Sequence, residues 1–304
     1  MKLQLQKPDW VYFNGSIRPW KEAVLHVSTE AVNRGLSVFE GIRCYTQENN
    51  LHLGLLALPR HYARLQESAR MLHIPFGTSY AEFEAACHQL LKKLRQPEND
   101  MWIRATLYVI DGHWGEGTAA DLVLTCYQQS KEPPKPIKVG VTTWRRSSDL
   151  SLPPRIKSAA NYQVARLARI EGRSRGYSEM LLLNGFGRIA EASGSGVIMV
   201  RDGIVHSPPP SEGALESITV RIIRSLCESM SIPFEFRPID RTELYVAQEL
   251  ALAGTLSEIT PIESVDDFRF PQKWPILEKI ISRFQAATRG RDPHPAIDLS
   301  LAAA

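Results

Sequence analysis

Apolar and polar residues alternate along the first part of the chain, as is typical of strands with one buried face. This pattern predicts strands in WVYFNGSIR, SVFEGIRCYT and LHLGLLAL, with a tight turn at Asn14-Gly15. From residue 58 the apolar positions recur every three or four residues, which predicts an amphipathic helix in LPRHYARLQESARML. A second helix is predicted over 80–94, followed by strands in MWIRATLYVI and ADLVLTCYQ.

The order of elements changes after residues 129–136. This stretch, QSKEPPKP, is rich in proline and lysine and has no apolar periodicity, so a linker between domains is expected there. Beyond it, strands such as IKVGVTTW, EMLLLN, RIAEASGSGVIMV, GIVHSP and FEFRPI alternate with helices predicted at 158–172, 218–230, 242–250 and 274–288. The chain is therefore predicted to have a mixed α/β fold with two domains, residues 1–128 and 137–304. Its last residues, LSLAAA, are expected to be a frayed end or an expression scar.

Charge and cysteine content exclude several classes of partner. Lys and Arg (36) exceed Asp and Glu (33) by only three, and they are scattered, so no nucleic-acid or membrane surface is predicted. The four cysteines are far apart, with no CxxC pair and no histidine at metal-ligand spacing, which argues against a metal site or a disulfide framework. Reduced thiols in a cytoplasmic protein and small-molecule partners are expected.

The N-terminal stretch MKLQLQKPDWVYFNGS has no apolar run long enough for a signal peptide. No window of the chain approaches the roughly 18 apolar residues that a membrane-spanning helix needs. A protein without a membrane segment is therefore expected.

Lys157 is the first candidate for chemistry, in the stretch RIKSAANYQ. A lysine beside a predicted helix is ordinarily an exposed charge. It becomes a nucleophile at neutral pH only where burial or positive potential destabilises its ammonium. The N-terminus of the helix predicted to begin at residue 158 would supply part of that potential.

Two further features lie in the second half. Ser217, Ile218 and Thr219 open a predicted helix, where N–H groups without an intrahelical partner could bind a phosphate, although a simple N-cap is the alternative. Glu191 ends an apolar strand and precedes small residues that would let a flat group approach. It could pair with a protonated ring nitrogen or serve in a turn.

A lysine, a phosphate-binding helix start and a carboxylate for a ring nitrogen are the set that pyridoxal phosphate requires. Six blocks of the sequence strengthen this hypothesis: NRGLSVFEGIRCY, RHYARLQESA, IKSAANYQ, EASGSGV, EGALESITV and GTLSEITPI. In their order and spacing the chain resembles the branched-chain aminotransferase family of fold-type IV pyridoxal-phosphate enzymes. D-amino-acid aminotransferases and aminodeoxychorismate lyases share this fold. The resemblance implies a small N-terminal α+β domain and a larger C-terminal pseudo-barrel domain.

The resemblance also implies which residues contact the ring of the cofactor. Lys157 matches the lysine that forms a Schiff base, and Tyr162 matches a tyrosine that hydrogen-bonds the phenolic oxygen. Glu191 matches the carboxylate that keeps the pyridine nitrogen protonated. Leu215 matches a residue that packs near the ring.

The phosphate contacts follow from the same resemblance. Arg64, which would otherwise be a solvated residue beside the apolar stripe of its helix, matches the arginine that binds the phosphate. Ile218 and Thr219 match backbone donors, and Thr255 matches a hydroxyl on the other side of the phosphate.

The implied substrate contacts lie mainly in the first domain. Phe39 and Arg43 match positions on the floor of the substrate pocket. Arg104 matches an arginine that meets the distal carboxylate in members that accept glutamate, although it could instead neutralise a buried acid. The loop DGHWGEG, residues 111–117, matches one that reaches the partner subunit's site, which implies a homodimer or a higher homo-oligomer.

This chain departs from the family pattern where the substrate is expected. Arg34 replaces a tyrosine of the side-chain pocket, and Trp102 replaces a tyrosine that helps hold the α-carboxylate. Leu256 and Ser257 replace two small residues beside that carboxylate. Near the cofactor, the substitutions are Gly196 for asparagine, Ser217 for glycine and Val220 for arginine.

The resemblance implies a transaminase that moves an amino group between an L-branched-chain amino acid and 2-oxoglutarate. Because Arg34 suits an acidic or polar substrate, a D-amino-acid or (R)-amine transaminase, or a lyase, is the alternative. A non-catalytic protein that carries pyridoxal phosphate is a third hypothesis, and Lys157, Tyr162 and Glu191 argue against it.

Overall fold

The computed structural model describes residues 7–303 apart from residues 49 and 97. The chain divides into two compact units. Unit 1 consists of Met1–Glu132, Lys157–Ala160 and Ala287–Ala304, and unit 2 consists of Pro133–Ile156 and Asn161–Ala286. Both units combine a sheet with helices, which confirms the predicted mixed α/β class.

Unit 1 contains, within the described residues, a seven-stranded sheet. Its strands are β1 (Trp10–Phe13), β2 (Ser16–Pro19), β3 (Ser37–Thr46), β4 (His52–Leu56), β5 (Asp100–Asp111), β6 (Ala119–Gln129) and β16 (Leu299–Ala303). They lie in the order β16-β4-β3-β5-β6-β1-β2, and every neighbouring pair is antiparallel. The helices of this unit are α1 (Glu30–Asn33), α2 (Leu58–Met71) and α3 (Tyr80–Leu94). Asn14 and Gly15 both have positive φ, which confirms the predicted turn between β1 and β2.

Unit 2 contains, among its described residues, a nine-stranded sheet. Its strands are β7 (Ile137–Arg145), β8 (Glu179–Leu183), β9 (Ile189–Ala192), β10 (Gly196–Arg201), β11 (Ile204–Ser207), β12 (Phe234–Phe236), β13 (Glu249–Gly254), β14 (Glu258–Val265) and β15 (Phe268–Arg269). They lie in the order β12-β11-β10-β13-β14-β7-β8-β9, with β15 paired to β14. The helices are α4 (Tyr162–Ser174), α5 (Ile218–Ser229) and α6 (Pro275–Thr288), whose last two residues belong to unit 1. Apolar side chains of β7, β8, β10, β13 and β14 form the core of this unit.

The helix predicted at 158–172 begins later, at Tyr162. Residues 157–160 are held against β3 instead, because the Phe39 N–H donates to the Lys157 carbonyl (2.9 Å) and the Ala159 N–H donates to the Ser37 carbonyl (3.1 Å). A backbone that pairs with a strand in this way cannot also continue a helix. The expected helix N-terminus directly after Lys157 is therefore wrong.

The helix predicted at 242–250 is also wrong in its second half. A short 3-10 helix covers Arg241–Val246, and the buried strand β13 follows. The run ELALAG pairs with β10 on one side and β14 on the other. Short apolar runs of this kind do not distinguish a strand from a helix by periodicity.

The C-terminal residues are not a frayed end. Strand β16 pairs along its length with β4, from Leu299 opposite Leu56 to Ala303 opposite His52. Residues 287–304 accordingly belong to unit 1, whereas the sequence pattern placed them in a domain of residues 137–304. A strand contributed from far along the chain leaves no local signal of its destination. In the described part of the chain, no helix is long and apolar enough to cross a membrane.

Candidate active site

Lys157 is fixed in unit 1 by its backbone. Its N–H donates to the Ser68 hydroxyl of α2 (3.1 Å), and its carbonyl accepts from the Phe39 N–H of β3 (2.9 Å). Its side chain is half-buried, with the Nζ atom 5.1 Å from the centroid of the Phe39 ring. The main chain on which the amine is carried is therefore held between a helix and a strand.

Glu40, the residue after Phe39 in β3, binds two side chains of α2, those of His61 and Arg64. The carboxylate accepts from Arg64 Nε (2.6 Å) and Nη2 (2.8 Å), and from His61 Nδ1 (2.7 Å). Helical spacing places His61, Arg64 and Ser68 on one face of α2. All three are buried, as is Glu40. The carboxylate thus fixes the plane of the Arg64 guanidinium.

The charges of this cluster are set by their mutual contacts. Burial by itself raises the pKa of Glu40, but Arg64 and His61 outweigh it and hold that pKa well below its usual range. Burial lowers the pKa of His61, and the charges of Arg64 and Lys157 add to this effect against the attraction of Glu40. At neutral pH, His61 is therefore neutral and donates its Nδ1–H to an ionised Glu40.

Four of the predicted substrate residues share one face of the unit 1 sheet. Alternation along β3 places Phe39, Gly41 and Arg43 on that face, and Arg104 and Trp102 of β5 lie opposite Gly41 and Arg43. The Arg104 guanidinium lies over the Phe39 ring, with Cζ 3.8 Å from its centroid. Phe39, Arg104 and the Lys157 amine are therefore neighbours.

Trp102 lies further along the same face and is almost fully buried. It stacks on Tyr127 of β6, with ring centroids 4.8 Å apart, and Tyr127 is also its partner in the strand register. Position 102 therefore contributes an aromatic ring that is packed against its cross-strand neighbour.

Arg43 is occupied by structural contacts. Its Nη2 donates to Asp100 (3.0 Å) and to the Ser130 carbonyl (2.8 Å). Asp100 also accepts from both Nη atoms of Arg289. The structure brings Arg43 into this buried ion cluster rather than to the Phe39 ring.

Arg34 has its charge balanced locally. Its Nη1 contacts both carboxylate oxygens of Glu30, at 2.5 and 2.6 Å, and its guanidinium lies 5.1 Å from the ring of Trp114. Trp114 has a positive φ in the 111–117 loop, and 81% of its surface is exposed. Arg34, which departs from the family pattern, therefore contacts both Glu30 and Trp114.

In unit 2, Glu191 of β9 is held on two sides. Arg146, at the end of β7, forms an ion pair with one carboxylate oxygen (2.7 Å), and the Leu215 N–H donates to the other (3.0 Å). Arg146 is buried and also donates to the Asn161 carbonyl (3.1 Å). A carboxylate fixed in this way presents its remaining lone pairs in a defined direction.

The first turn of α5 has the features of an anion-binding helix start. Ser217 is the N-cap, and its hydroxyl accepts from the Val220 N–H (3.2 Å). The N–H groups of Ile218 and Thr219 and the Thr219 hydroxyl have no hydrogen-bond partner in the part of the chain that the structure describes. Such N–H groups bind phosphates readily.

Gly254, at the end of β13, is closely covered by two serine side chains. The hydroxyls of Ser195 and Ser257 are 2.7 Å apart, and a Cβ at Gly254 would lie 2.9 and 2.8 Å from them. Only glycine fits beneath this pair. Thr255 follows half-buried and Leu256 is exposed, while Tyr162 is the half-buried first residue of α4.

The structure adds three residues that the sequence pattern did not single out: Glu40, His61 and Arg146. Glu40 carried a signal, since a glutamate within the apolar run SVFEGI alternates onto the core face and needs a partner there. The partners themselves come from other elements. No group of three or more His, Cys, Asp or Glu side chains is placed to hold a metal ion among the described residues.

Comparisons with known proteins place these features in a family. Residues 37–265 match the family Amino-transferase class IV. A probable branched-chain-amino-acid aminotransferase of Aquifex aeolicus is 33% identical over 291 residues, which cover 93% of each chain.

Solved structures agree with this match. The branched-chain amino acid aminotransferase of Thermobaculum terrenum in its PLP-form superimposes with a TM-score of 0.90 at 30% identity, covering 98% of this chain and 99% of that one. The branched-chain aminotransferase of Thermoproteus uzoniensis with norvaline gives a TM-score of 0.90 at 28% identity, covering 96% of this chain and 99% of that one.

The fold is therefore that of the fold-type IV enzymes, as the sequence predicted. The chain belongs to the class IV aminotransferase family and is a pyridoxal-phosphate-dependent aminotransferase.

Proposed function

We propose that this enzyme moves the amino group between an L-branched-chain amino acid and 2-oxoglutarate. The observation that carries the proposal is that the Lys157 amine and the Arg104 guanidinium both lie over the Phe39 ring. One face of the unit 1 sheet thus offers a reactive amine and a cation for a distal carboxylate. The relatives named for branched-chain substrates support the amino donor.

The residues present fit pyridoxal phosphate. Donors that suit a phosphate are present in each unit: the Arg64 guanidinium in unit 1, and the N–H groups of Ile218 and Thr219 in unit 2. The Glu191 carboxylate, anchored by Arg146, suits a protonated ring nitrogen.

We assign the cofactor contacts accordingly. Arg64, Ile218, Thr219 and Thr255 would hold the phosphate. Leu215 would pack on the ring while its N–H keeps Glu191 in place. Tyr162 would hydrogen-bond the phenolic oxygen.

When bound, the cofactor supplies an electron-accepting ring that is conjugated with the substrate's amino group. Lys157 Nζ takes the proton from the substrate Cα and later returns a proton, so that each half-reaction needs one base at one position. The backbone clamp by Ser68 and Phe39 holds the main chain from which this base extends. Arg104 orients 2-oxoglutarate through its distal carboxylate.

Arg34 bears on the alternative activities. An unbalanced cation at Arg34 in the side-chain pocket would favour a D-amino-acid transaminase, an (R)-amine transaminase or a lyase. Glu30 balances that cation in the structure. An apolar branched side chain is therefore compatible with Arg34, and the alternatives become outcomes of the test.

The test is spectroscopic. We expect the visible absorption of the lysine-bound cofactor to be lost when purified holoenzyme is titrated with L-leucine or L-glutamate, as the cofactor takes up the amino group. Conversion by D-alanine alone would contradict the proposed substrate. Continued release of pyruvate from an amino acid without an added keto acid, well beyond the single equivalent per site that a transaminase half-reaction gives, would indicate a lyase.

The Lys157→Ala variant tests the assigned base. We expect turnover to fall by at least about 10³-fold, since a positioned base contributes on the order of 10²–10⁴-fold and the covalent link to the cofactor is lost as well. Wild-type turnover in this variant would overturn the assignment. Arg155→Ala, which changes an exposed cation two residues away, serves as the control.

We further propose that the enzyme is a cytoplasmic homodimer. Its four cysteines are free and buried, as a reducing compartment allows. Unit 1 exposes several large apolar side chains, including Val27, Val32 and, in the 111–117 loop, Trp114. Such side chains are typical of an interface.

A further inference from the structure

Phe39 stands out because its one ring meets two cations. Arg104 Cζ lies 3.8 Å from the ring centroid, and Lys157 Nζ lies 5.1 Å from it. Both distances are within the range in which the negative face of an aromatic ring attracts a cation. Phe39 itself is 6% exposed, so its ring has little freedom to move.

The register of the sheet explains how Arg104 reaches this ring. Arg104 lies directly opposite Gly41, whereas Phe39 is opposite Thr106. A Cβ built at Gly41 would have no atom within 4 Å, so the space above it is open. The guanidinium reaches diagonally across the strand onto Phe39, and position 41 places nothing in its way.

A contact between a guanidinium and the face of a ring does not itself use the N–H groups of the arginine. Those donors lie in the plane of the guanidinium, and stacking uses only its face. The Phe39 ring can therefore support the Arg104 guanidinium without competing with a carboxylate for its hydrogen bonds. Lysine in the same place would have no plane to fix.

We propose that Phe39 is a positioning residue for the dicarboxylate substrate. Its ring holds the Arg104 guanidinium in the orientation that receives the distal carboxylate, and it fixes the direction of Arg104 relative to the Lys157 amine. The inference rests on the proposed function, because it takes Arg104 as the carboxylate receptor. Phe39 would thus have two roles: it is an apolar surface for any substrate, and its aromatic ring supports Arg104 when the substrate is a dicarboxylate.

The test uses two unreactive acids that match the proposed keto acids. Glutarate has the carbon chain and both carboxylates of 2-oxoglutarate, and 4-methylpentanoate has the branched chain and the single carboxylate of the leucine-derived keto acid. Binding of each acid to the holoenzyme is measured by titration calorimetry. The measurement does not depend on turnover.

We expect Phe39→Leu to weaken glutarate binding by about three- to tenfold, the size of a partly desolvated cation–π contact. Binding of 4-methylpentanoate should change less than about twofold, because leucine preserves the apolar floor. Phe39→Tyr keeps the ring and should bind both acids as the unaltered enzyme does. Phe13→Leu removes an aromatic side chain that stacks on Tyr108 elsewhere in unit 1 and serves as the control.

A double-mutant cycle isolates the contact. In an Arg104→Met background the Phe39→Leu change should no longer discriminate between the two acids. In steady-state kinetics, Phe39→Leu should raise KM for 2-oxoglutarate while the KM for the branched-chain keto acid is nearly unchanged.

The possible results distinguish a failure of the Phe39 role from a failure of the proposed transaminase function. Equal weakening of both acids by Phe39→Leu, or discrimination that persists without Arg104, would overturn the role of Phe39 and leave the transaminase proposal standing. Failure of the unaltered enzyme to bind glutarate would contradict Arg104 as the receptor, and the inference would fall with it.

Discussion

Glu40 carries a full charge in a strand whose other side chains are mostly buried. It is tolerated because three hydrogen bonds from Arg64 and His61 replace the water it has lost. In return, the carboxylate holds Arg64 by its Nε edge. At the residue scale, the orientation of Arg64 on α2, the proposed phosphate-binding arginine, is thus set by Glu40 on β3.

We expect Glu40→Gln to destabilise the protein by on the order of 3 kcal/mol at pH 7, because it leaves a buried guanidinium without its counter-charge. The same change should weaken the affinity of the apo-enzyme for pyridoxal phosphate more than for pyridoxal, since only the former needs Arg64. Thermal unfolding and cofactor titration measure the two effects. Glu67→Gln, on the exposed side of the same helix, is the matched control.

The effect of Glu40 should depend on pH. Its pKa is lowered in the folded state, so its contribution is fully present above the unfolded value of about 4.3 and is lost as pH falls through the folded pKa. The difference in unfolding temperature between wild type and Glu40→Gln should therefore be constant from pH 7 to about pH 5 and shrink in more acidic buffer. A difference that grew on acidification would contradict an ionised Glu40.

At the scale of elements, the C-terminal segment shows why unit 1 is not continuous in sequence. Arg289 donates to Asp100 through both Nη atoms, and β16 then adds an edge strand beside β4. The Ser300 hydroxyl donates to Glu84 of α3 (2.6 Å). Residues near the end of the chain thus tie together a helix and a sheet formed by its beginning.

Removal of residues 299–304 should lower the stability of unit 1. We expect a loss of about 2–4 kcal/mol, because the β4 edge loses its backbone partners and Glu84 loses one of its two hydroxyl donors, Ser300, while Tyr80 remains. Urea-induced unfolding followed by circular dichroism measures the change. Leu301→Ser alters an exposed side chain of the same strand and should have little effect; equal stability of the truncated chain would restore the view of these residues as a frayed end.

At the scale of the whole molecule, the exposed apolar side chains of unit 1 bear on assembly. Val24, Val27, Val32, Ile110 and Trp114 are each at least 40% exposed. Single exposed apolar residues are ordinary, whereas several large ones that share a contiguous patch are typical of an interface. This agrees with the proposed homodimer.

We expect Trp114→Asp to shift the protein toward monomer and weaken self-association by about tenfold or more, since a buried interface tryptophan is often a dominant contact. Sedimentation velocity across a concentration series measures the shift. Phe186→Asp changes an 87% exposed aromatic residue of unit 2 and should leave assembly unchanged. A wild-type protein that is monomeric at all concentrations would contradict the dimer.

The predictable part of the fold was the part with local periodicity. The 80–94 helix, the strand over 37–46 and the Asn14-Gly15 turn follow from spacing that neighbours impose on each other. The errors at 158–161 and 247–250 arose where a backbone found its partner in a distant strand. Local propensity does not register such a partner.

The sequence by itself determined the class of enzyme, because motifs are recognised by their residues, order and spacing, and this requires no tertiary contacts. It also determined the two-sheet α/β class, since alternation and helical spacing are local consequences of one buried face. Only the tertiary structure decided that Glu40 and Arg146 orient Arg64 and Glu191, that Arg43 serves an ion cluster, and that Arg104 rests on Phe39. These are pairings between distant segments, and their energies depend on distance and burial, which exist only once the chain has folded.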